Sequence, residues 1–86
     1  MSETINEKVS VVTIYNKNGT ILPWKVKWKN RIYNTIKIGF HHQLRQGRKL
    51  LHIFSILTDS NISFKLTLDS ETLHWMLSEV VDGSYS

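Results

Sequence analysis

The chain has 86 residues, of which 41% are hydrophobic and 21% charged, and it contains no cysteine. This length and composition predict one small globular β domain over residues 1–86, and they exclude a disordered chain, a disulfide framework and a thiolate metal site. The N-terminus is mainly polar, and no apolar run approaches the roughly 18 residues of a membrane span. We therefore expect a cytoplasmic protein with a frayed N-terminus over residues 1–8.

The basic residues are concentrated in the middle of the chain. The net charge is +4 with histidine neutral, but residues 17–65 contain ten lysines and arginines and a single acid, Asp59. This layout predicts a basic binding surface if the fold gathers the cations on one side. The alternative is that the cations are solvated residues that protect sheet edges.

Residues 9–15 and 21–29 have the two-residue periodicity of half-buried strands. An Asn18-Gly19 turn signal separates them, and Pro23 lies near the start of the second strand. Alternation in this second strand places two sets of side chains on opposite faces. The inner set is Trp24, Val26 and Trp28, and the outer set is Lys25, Lys27 and Lys29.

A Lys29-Asn30 turn leads to a third strand over residues 31–40. Tyr33 is expected to lie on its outer face, beside the lysines, and Gly39 to mark a bulge or bend. The residues expected to face inward are Ile32, Ile36, Ile38 and Phe40.

The second half of the chain is predicted to contain further strands. Residues 41–49 are polar and indicate a loop, whereas residues 50–58 are apolar on both faces, which fits a central strand covered on both sides or a short buried helix. Residues 62–68 alternate again. Residues 72–81 favour a strand with Leu73 and Trp75 inward, although a short helix capped by Ser70 also fits residues 70–81.

Together these segments predict an all-β fold, a small antiparallel meander or barrel of five to six strands. The alternative for the C-terminal segment adds one short helix. The predicted core consists of Trp28, Ile36, Ile38, Phe54, Phe64, Leu66, Trp75 and Leu77.

One series of strands spans roughly residues 24–83: a Trp-basic strand, a tight turn, an Arg-x-Tyr return strand, a Phe-x-Leu strand and a closing Leu-x-Trp-x-Leu-x-x-Val-x-Asp-Gly strand. Its residues are Trp28, Arg31, Tyr33, Phe64, Leu66, Trp75, Leu77, Val80, Asp82 and Gly83. The pattern resembles small bacterial Trp-rich β domains of unknown function, which occur alone and at the ends of some proteins related to translesion DNA polymerases. The resemblance implies a domain without catalytic residues and hints at a nucleic-acid context; residues 41–42 and 45–49 lie outside it.

The sequence favours neither catalysis nor metal binding. His41 and His42 are adjacent and would point to opposite faces of a strand, while His52 and His74 lie on other predicted strands. The acids lie at turns and near the chain ends, and the sequence contains no nucleophile elbow or glycine-rich phosphate loop. We expect a protein that is not an enzyme and that binds no metal or cofactor.

The positive charge favours a domain that binds the backbone of RNA or DNA. The lysines of the second strand recur about 6.5–7 Å apart, close to the spacing of successive phosphates. A mobile basic loop would add arginine and amide donors, and Tyr33 would supply a stacking platform. The predicted binding residues are Lys25, Lys27, Lys29, Arg31, Tyr33, Arg45, Arg48 and Lys49.

The alternative function is a protein-interaction or self-association module. In that case residues 9–15 or the last strand would pair with a peptide or a second copy through an exposed sheet edge. Nucleic-acid binding requires the lysine-bearing face to be open and salt-sensitive, whereas edge pairing would depend little on those lysines.

Overall fold

The computed structural model describes residues 2–82, which form six antiparallel strands in a closed barrel. The strands are β1 (Ser2–Tyr15), β2 (Ile21–Trp28), β3 (Arg31–Gln46), β4 (Lys49–Thr58), β5 (Ile62–Asp69) and β6 (Trp75–Asp82). Each strand pairs with its neighbours in sequence, and β1 pairs with β6 to close the barrel. The prediction of an all-β meander is confirmed, with β6 as a strand. Within the described residues, no helix is long and apolar enough to cross a membrane.

Two long strands each change partner part-way along their length. β1 pairs with β6 up to Val9 and with β2 from Ser10 onward. β3 pairs with β2 as far as Asn34 and with β4 from Thr35 onward. Asp59 fixes the second change, because its backbone N–H donates to the Asn34 carbonyl oxygen (3.0 Å) and its carboxylate accepts from the Asn34 side-chain amide (2.7 Å).

The buried core contains two aromatic clusters. The first consists of Trp28, Tyr33 and Phe64, whose ring centroids lie 5.0–6.2 Å apart. The second consists of Phe54 and Trp75, 5.5 Å apart, with His41 stacked on Phe54 at 4.1 Å. Edge-to-face and offset contacts of this kind stabilise a core beyond the area they bury. Six of the eight predicted core residues are buried, whereas Ile38 is partly buried and Ile36 is exposed.

The two clusters lie toward the two ends of β3, with Tyr33 near its start and His41 in its second half. The lysine end comprises the first cluster, the β2–β3 turn at residues 29–30, and Lys25 and Lys27 outside it. The hairpin end comprises the second cluster and the β3–β4 turn at residues 47–48. Both residues of the β2–β3 turn have positive φ, 52° and 60°, so the predicted two-residue hairpin is confirmed.

A bulge in β2 overturns the predicted inward position of Trp24. Val12 pairs with Lys25 and Thr13 with Pro23, so Trp24 has no register partner on β1. The alternation shifts by one residue, which buries Pro23 and leaves Trp24 50% exposed. Pro23 is tolerated here because a bulge requires no ladder hydrogen bond from its missing N–H.

The predicted faces of β3 are also wrong over most of its first half. The two-residue turn sets Tyr33 opposite the buried Val26, and directly opposed residues share a face, so Tyr33 is buried. The expected exposure of Tyr33 is therefore wrong. The side chains expected inward but found 43–62% exposed are Ile32, Ile36 and Phe40.

Two bulges in β3 account for the remaining changes of face. The pairing with β4 skips Ile36 and then Gly39, which confirms the irregularity predicted at Gly39. A Cβ added at Gly39 would lie 3.3 Å from the Ser55 carbonyl oxygen, a close approach that favours glycine. The second bulge turns Phe40 outward and His41 toward Phe54.

Two polar segments are more ordered than the sequence indicated. Residues 41–46 continue β3 and pair with β4, so the loop predicted over residues 41–49 is reduced to a turn at residues 47–48. Residues 2–4 and 7–9 pair with β6, so the frayed N-terminus predicted over residues 1–8 is wrong for the described part of that segment. In both cases a strongly apolar partner strand fixes a polar strand by backbone pairing.

The turn before β6 prevents both a longer strand and a helix. The Asp69 carboxylate accepts hydrogen bonds from the backbone N–H groups of Glu71 (2.9 Å) and Thr72 (3.3 Å). Leu73 then adopts a positive φ of 63°, which a helix does not allow, and it is exposed rather than inward as predicted. β6 therefore begins at Trp75.

Candidate nucleic-acid interface

The outer surface of the sheet at the lysine end carries a basic face, here called the lysine face, formed by Lys8, Lys25, Lys27 and Lys29. In the register, Lys25 lies beside Val12 and Asn34 on the neighbouring strands, and Lys27 lies beside Ser10 and Ile32. None of these four neighbours is acidic. Within the described residues, the four lysines form no ion pair, so their charges are available to an external anion.

Lys29 does not continue the strand spacing of Lys25 and Lys27. It lies in the β2–β3 turn, and its ammonium nitrogen is 4.7 Å from the centroid of the Trp28 ring. This cation–π contact holds the charge at the edge of the face without neutralising it. The phosphate-like spacing predicted for three lysines therefore applies to Lys25 and Lys27 alone.

Lys8 joins the face from β1, although its acidic sequence surroundings gave no sign of this. Ser10 pairs with Lys27, and Lys8 lies two residues away on the same side of β1. The side chains of Lys8, Lys27 and Lys29 line one shallow cleft, which Glu7 also borders. Only the register of β1 against β2 could reveal this contribution.

Arg31 and the acid Asp59 form the border of the lysine face. The Arg31 guanidinium lies 5.4 Å from the centroid of the Tyr33 ring. Hydrogen bonds from the side chain and backbone of Asn34, with a smaller effect of the nearby Arg31 charge, hold the pKa of Asp59 below its usual range. Asp59 is therefore ionised at neutral pH and limits the positive potential on this side.

An exposed aromatic side chain lies next to Lys25, but it is Trp24 and not the predicted Tyr33. Tyr33 is 5% exposed and packs against Phe64 at 5.0 Å, so it cannot stack on an external base. The bulge in β2 instead brings half of the Trp24 surface into solvent. Pro23 was the signal in the sequence that could have indicated the exposure of Trp24, because a proline inside a strand often marks a bulge that interrupts the alternation.

The predicted residues Arg45, Arg48 and Lys49 lie at the hairpin end. Arg45 lies thirteen positions after Ile32, the neighbour of Lys27, and two bulges interrupt β3 between them. The Lys49 ammonium is 3.1 Å from the Asp69 carboxylate. Hydrogen bonds from Glu71 first, and then from Lys49, lower the pKa of Asp69 and keep it charged. The predicted basic groups line separate clefts, with Lys27 and Lys29 in one and Lys49 in the other, and Lys8 lines both.

A depression on the outer surface of β4, β5 and β6 lies between the two basic groups. Lys8 and Lys49 both line it, together with the apolar side chains of Leu51 and Met76. The Thr67 and Ser78 hydroxyl oxygens, 3.1 Å apart in the same region, already share a hydrogen bond. The Lys49–Asp69 ion pair offsets part of the charge here, so the depression is a weaker anion site than the lysine face.

Two histidines meet at the hairpin end. His41 Nε2 lies 3.1 Å from His52 Nδ1, so one ring must donate and the other accept. Partial burial, followed by the charges of His52 and His42, lowers the pKa of His41. Among residues 2–82 no group of three or more His, Asp or Glu side chains is placed to hold a metal ion.

No family model, curated protein or solved structure matches this chain. The resemblance to small bacterial Trp-rich domains stays a prediction.

Proposed function

We propose that the protein is a small non-catalytic, cytoplasmic domain that binds the phosphate backbone of nucleic acid through the lysine face. The observation that carries this proposal is the grouping of four exposed lysines from β1, β2 and the β2–β3 turn, which form no ion pair within residues 2–82. Lys25 and Lys27 lie about 6.5–7 Å apart on one strand, so each ammonium group can neutralise one phosphate of a strand that follows β2.

The contacts available on this face favour backbone binding over base-specific reading. Lysine is a compact point charge with rotatable donors and carries no bidentate geometry for a base edge. The expected affinity is that of non-specific contacts, a Kd of roughly 10⁻⁴–10⁻⁶ M at physiological salt. Affinity should change little with base sequence and should fall steeply as salt rises.

Fluorescence anisotropy with labelled single-stranded and double-stranded oligonucleotides, at two salt concentrations, tests the proposal. Lys8→Ala should weaken binding and lower the salt slope by about 1, because it removes one phosphate contact. Lys17→Ala is the matched control: it removes the same charge from the exposed β1–β2 turn, away from the face. The absence of binding to any oligonucleotide at low salt would refute the proposal.

Self-association is the second candidate, and a different surface now favours it. The last strand is paired on both sides, by β5 and β1, so it offers no edge over residues 75–81. The outer side of the β3–β4 hairpin instead exposes Phe40 (43%) and Leu44 (46%), with Leu44 beside the partly buried Leu51. Such an apolar strip is typical of an interaction surface.

Sedimentation velocity over a range of protein concentrations tests this second candidate. If the strip binds a second copy, the wild type should dimerise, and Leu44→Glu should return it to a monomer without loss of the fold. A monomer at all concentrations would exclude self-association.

A further inference from the structure

We infer that Trp24 stacks on an unpaired base, so that the lysine face binds single-stranded nucleic acid in preference to duplex. The inference rests on the proposed function and adds the form of nucleic acid to it. Three observations support it: the exposure of Trp24, the cleft in which it lies, and the cations on either side of that cleft.

The exposure of Trp24 is built into the backbone. The β1–β2 pairing skips Trp24 between Lys25 and Pro23, so its side chain leaves the inward alternation. Half of its surface is accessible, whereas the other two tryptophans, Trp28 and Trp75, are 8% and 5% exposed. Exposure of a large aromatic ring to water is energetically unfavourable, and an exposed ring of this kind is typical of a binding site.

Trp24 borders a cleft where β2 and β3 separate. Their pairing ends at Lys25 opposite Asn34, and beyond this pair β3 pairs with β4 instead. The cleft is lined by Trp24, Leu22 and Pro23 from β2 and by Thr35, Ile36, Lys37 and Ile38 from β3. Its walls are apolar and open, which suits the flat face of a base.

Charge complementarity favours a nucleic acid over an apolar peptide in this cleft. Lys25 follows Trp24 in the chain, and Lys37 lines the opposite wall. The lysine face continues from Lys25 to Lys27 and the β2–β3 turn. A strand whose phosphates follow these lysines would bring one base over Trp24, the combination of a basic path and an aromatic platform that binds single strands. A duplex keeps its bases paired and stacked and cannot supply one.

Substitutions at Trp24 separate stacking from simple apolar contact. Trp24→Leu should raise the Kd for a single-stranded oligonucleotide by roughly 5- to 100-fold, the range for loss of one stacked base, and should leave the Kd for duplex unchanged. Trp24→Phe retains an aromatic face and should stay within a few-fold of the wild type. Circular dichroism of both variants at the working temperature checks that the barrel is intact.

Tryptophan fluorescence gives an independent measurement on the unmodified protein. Because Trp28 and Trp75 are buried, quenching by an added single strand should come from Trp24 and should disappear in Trp24→Phe, which still binds. If wild type and Trp24→Leu bind single strands with equal affinity, the stacking inference is wrong. The proposed function would still stand in that case, provided that binding weakens as salt rises. Fluorescence that changes with protein concentration alone would assign the cleft to a second copy and also overturn it. The absence of binding to any oligonucleotide would refute both the stacking inference and the proposed function.

Discussion

The two ends of the barrel differ in what surrounds their cations. At the lysine end, Lys25 and Lys27 lie among Val12, Ser10, Ile32 and Asn34, and the nearby acid Asp59 is hydrogen-bonded to Asn34. At the hairpin end, Asp69 pairs with Lys49 at 3.1 Å, whereas Arg45 and Arg48 form no ion pair within residues 2–82. Both groups contain cations without an ion pair in the described part of the chain, but only the first has an exposed tryptophan, Trp24, beside them. Whether a cation can bind an external anion thus depends on neighbours that other strands provide.

The aromatic clusters under the two ends also differ. The lysine end is supported by Phe64, which contacts Trp28 at 5.7 Å and Tyr33 at 5.0 Å. The hairpin end contains a polar addition, the His41–His52 pair beside Phe54. The aromatic cluster of the first end should therefore contribute to stability through packing, whereas the cluster of the second should also contribute through a histidine hydrogen bond.

The largest expected effect concerns the packing of the lysine end. Phe64→Ala removes a ring that is 1% exposed and shared by two aromatic neighbours, and it should lower the free energy of unfolding by roughly 3–5 kcal/mol. Urea denaturation followed by circular dichroism measures the loss. Lys17→Ala in the exposed β1–β2 turn is the control, with an expected loss near zero. A loss below about 1 kcal/mol for Phe64→Ala would contradict the packing described here.

The next largest expected effect is the difference in stability loss between substitutions of the two buried tryptophans, one at each end. Trp75 Nε1 donates to the Thr13 hydroxyl at 3.1 Å, whereas the buried Trp28 Nε1 has no partner within the described residues. Trp75→Phe should therefore destabilise the protein by about 1 kcal/mol more than Trp28→Phe, which loses no hydrogen bond. Urea midpoints of the two variants give this difference. Equal losses would show that the Thr13 contact contributes nothing.

Between pH 7.5 and 5.5, we expect the pH dependence of stability to come from His41 at the hairpin end. Because partial burial and His52 hold the pKa of His41 below its ordinary 6.5, the unfolded chain binds this proton more readily than the folded one. The free energy of unfolding should thus decrease as the pH falls below about 6.5. His41→Gln should show a smaller decrease in urea midpoint between pH 7.5 and 5.5 than the wild type. An unchanged pH dependence would exclude His41 as its source.

The fold class could be predicted from the sequence, because an antiparallel meander is specified by local signals. Alternation over residues 21–29 and 62–68, together with the turn at residues 29–30, was sufficient for an antiparallel meander. The sequence also predicted β6. The strand begins only at Trp75, because the positive φ of Leu73 interrupts the extended backbone. These features depend on side-chain period and turn chemistry, which a single sequence contains.

Site residues were harder to predict, because bulges change the face of a strand without changing its composition. Trp24 was placed in the core by strict alternation, and the bulge beside Pro23 brings it to the surface. Tyr33 could have been placed correctly, because a two-residue turn at residues 29–30 puts it opposite Val26. Lys8 and the Lys49–Asp69 pair depend on the register between strands, which the sequence does not specify.

The central claim is that nucleic acid binds at the lysine end, and two matched double variants test it most directly. Lys25→Ala/Lys27→Ala and Arg45→Ala/Arg48→Ala each remove two positive charges, one pair from each end. Anisotropy with a single-stranded oligonucleotide at several salt concentrations gives the slope of log K against log salt for both. We predict that the first variant binds all sequences more weakly with a slope reduced by up to about 2, and that the second stays close to the wild type. An equal or larger loss in the Arg45/Arg48 variant would contradict the account.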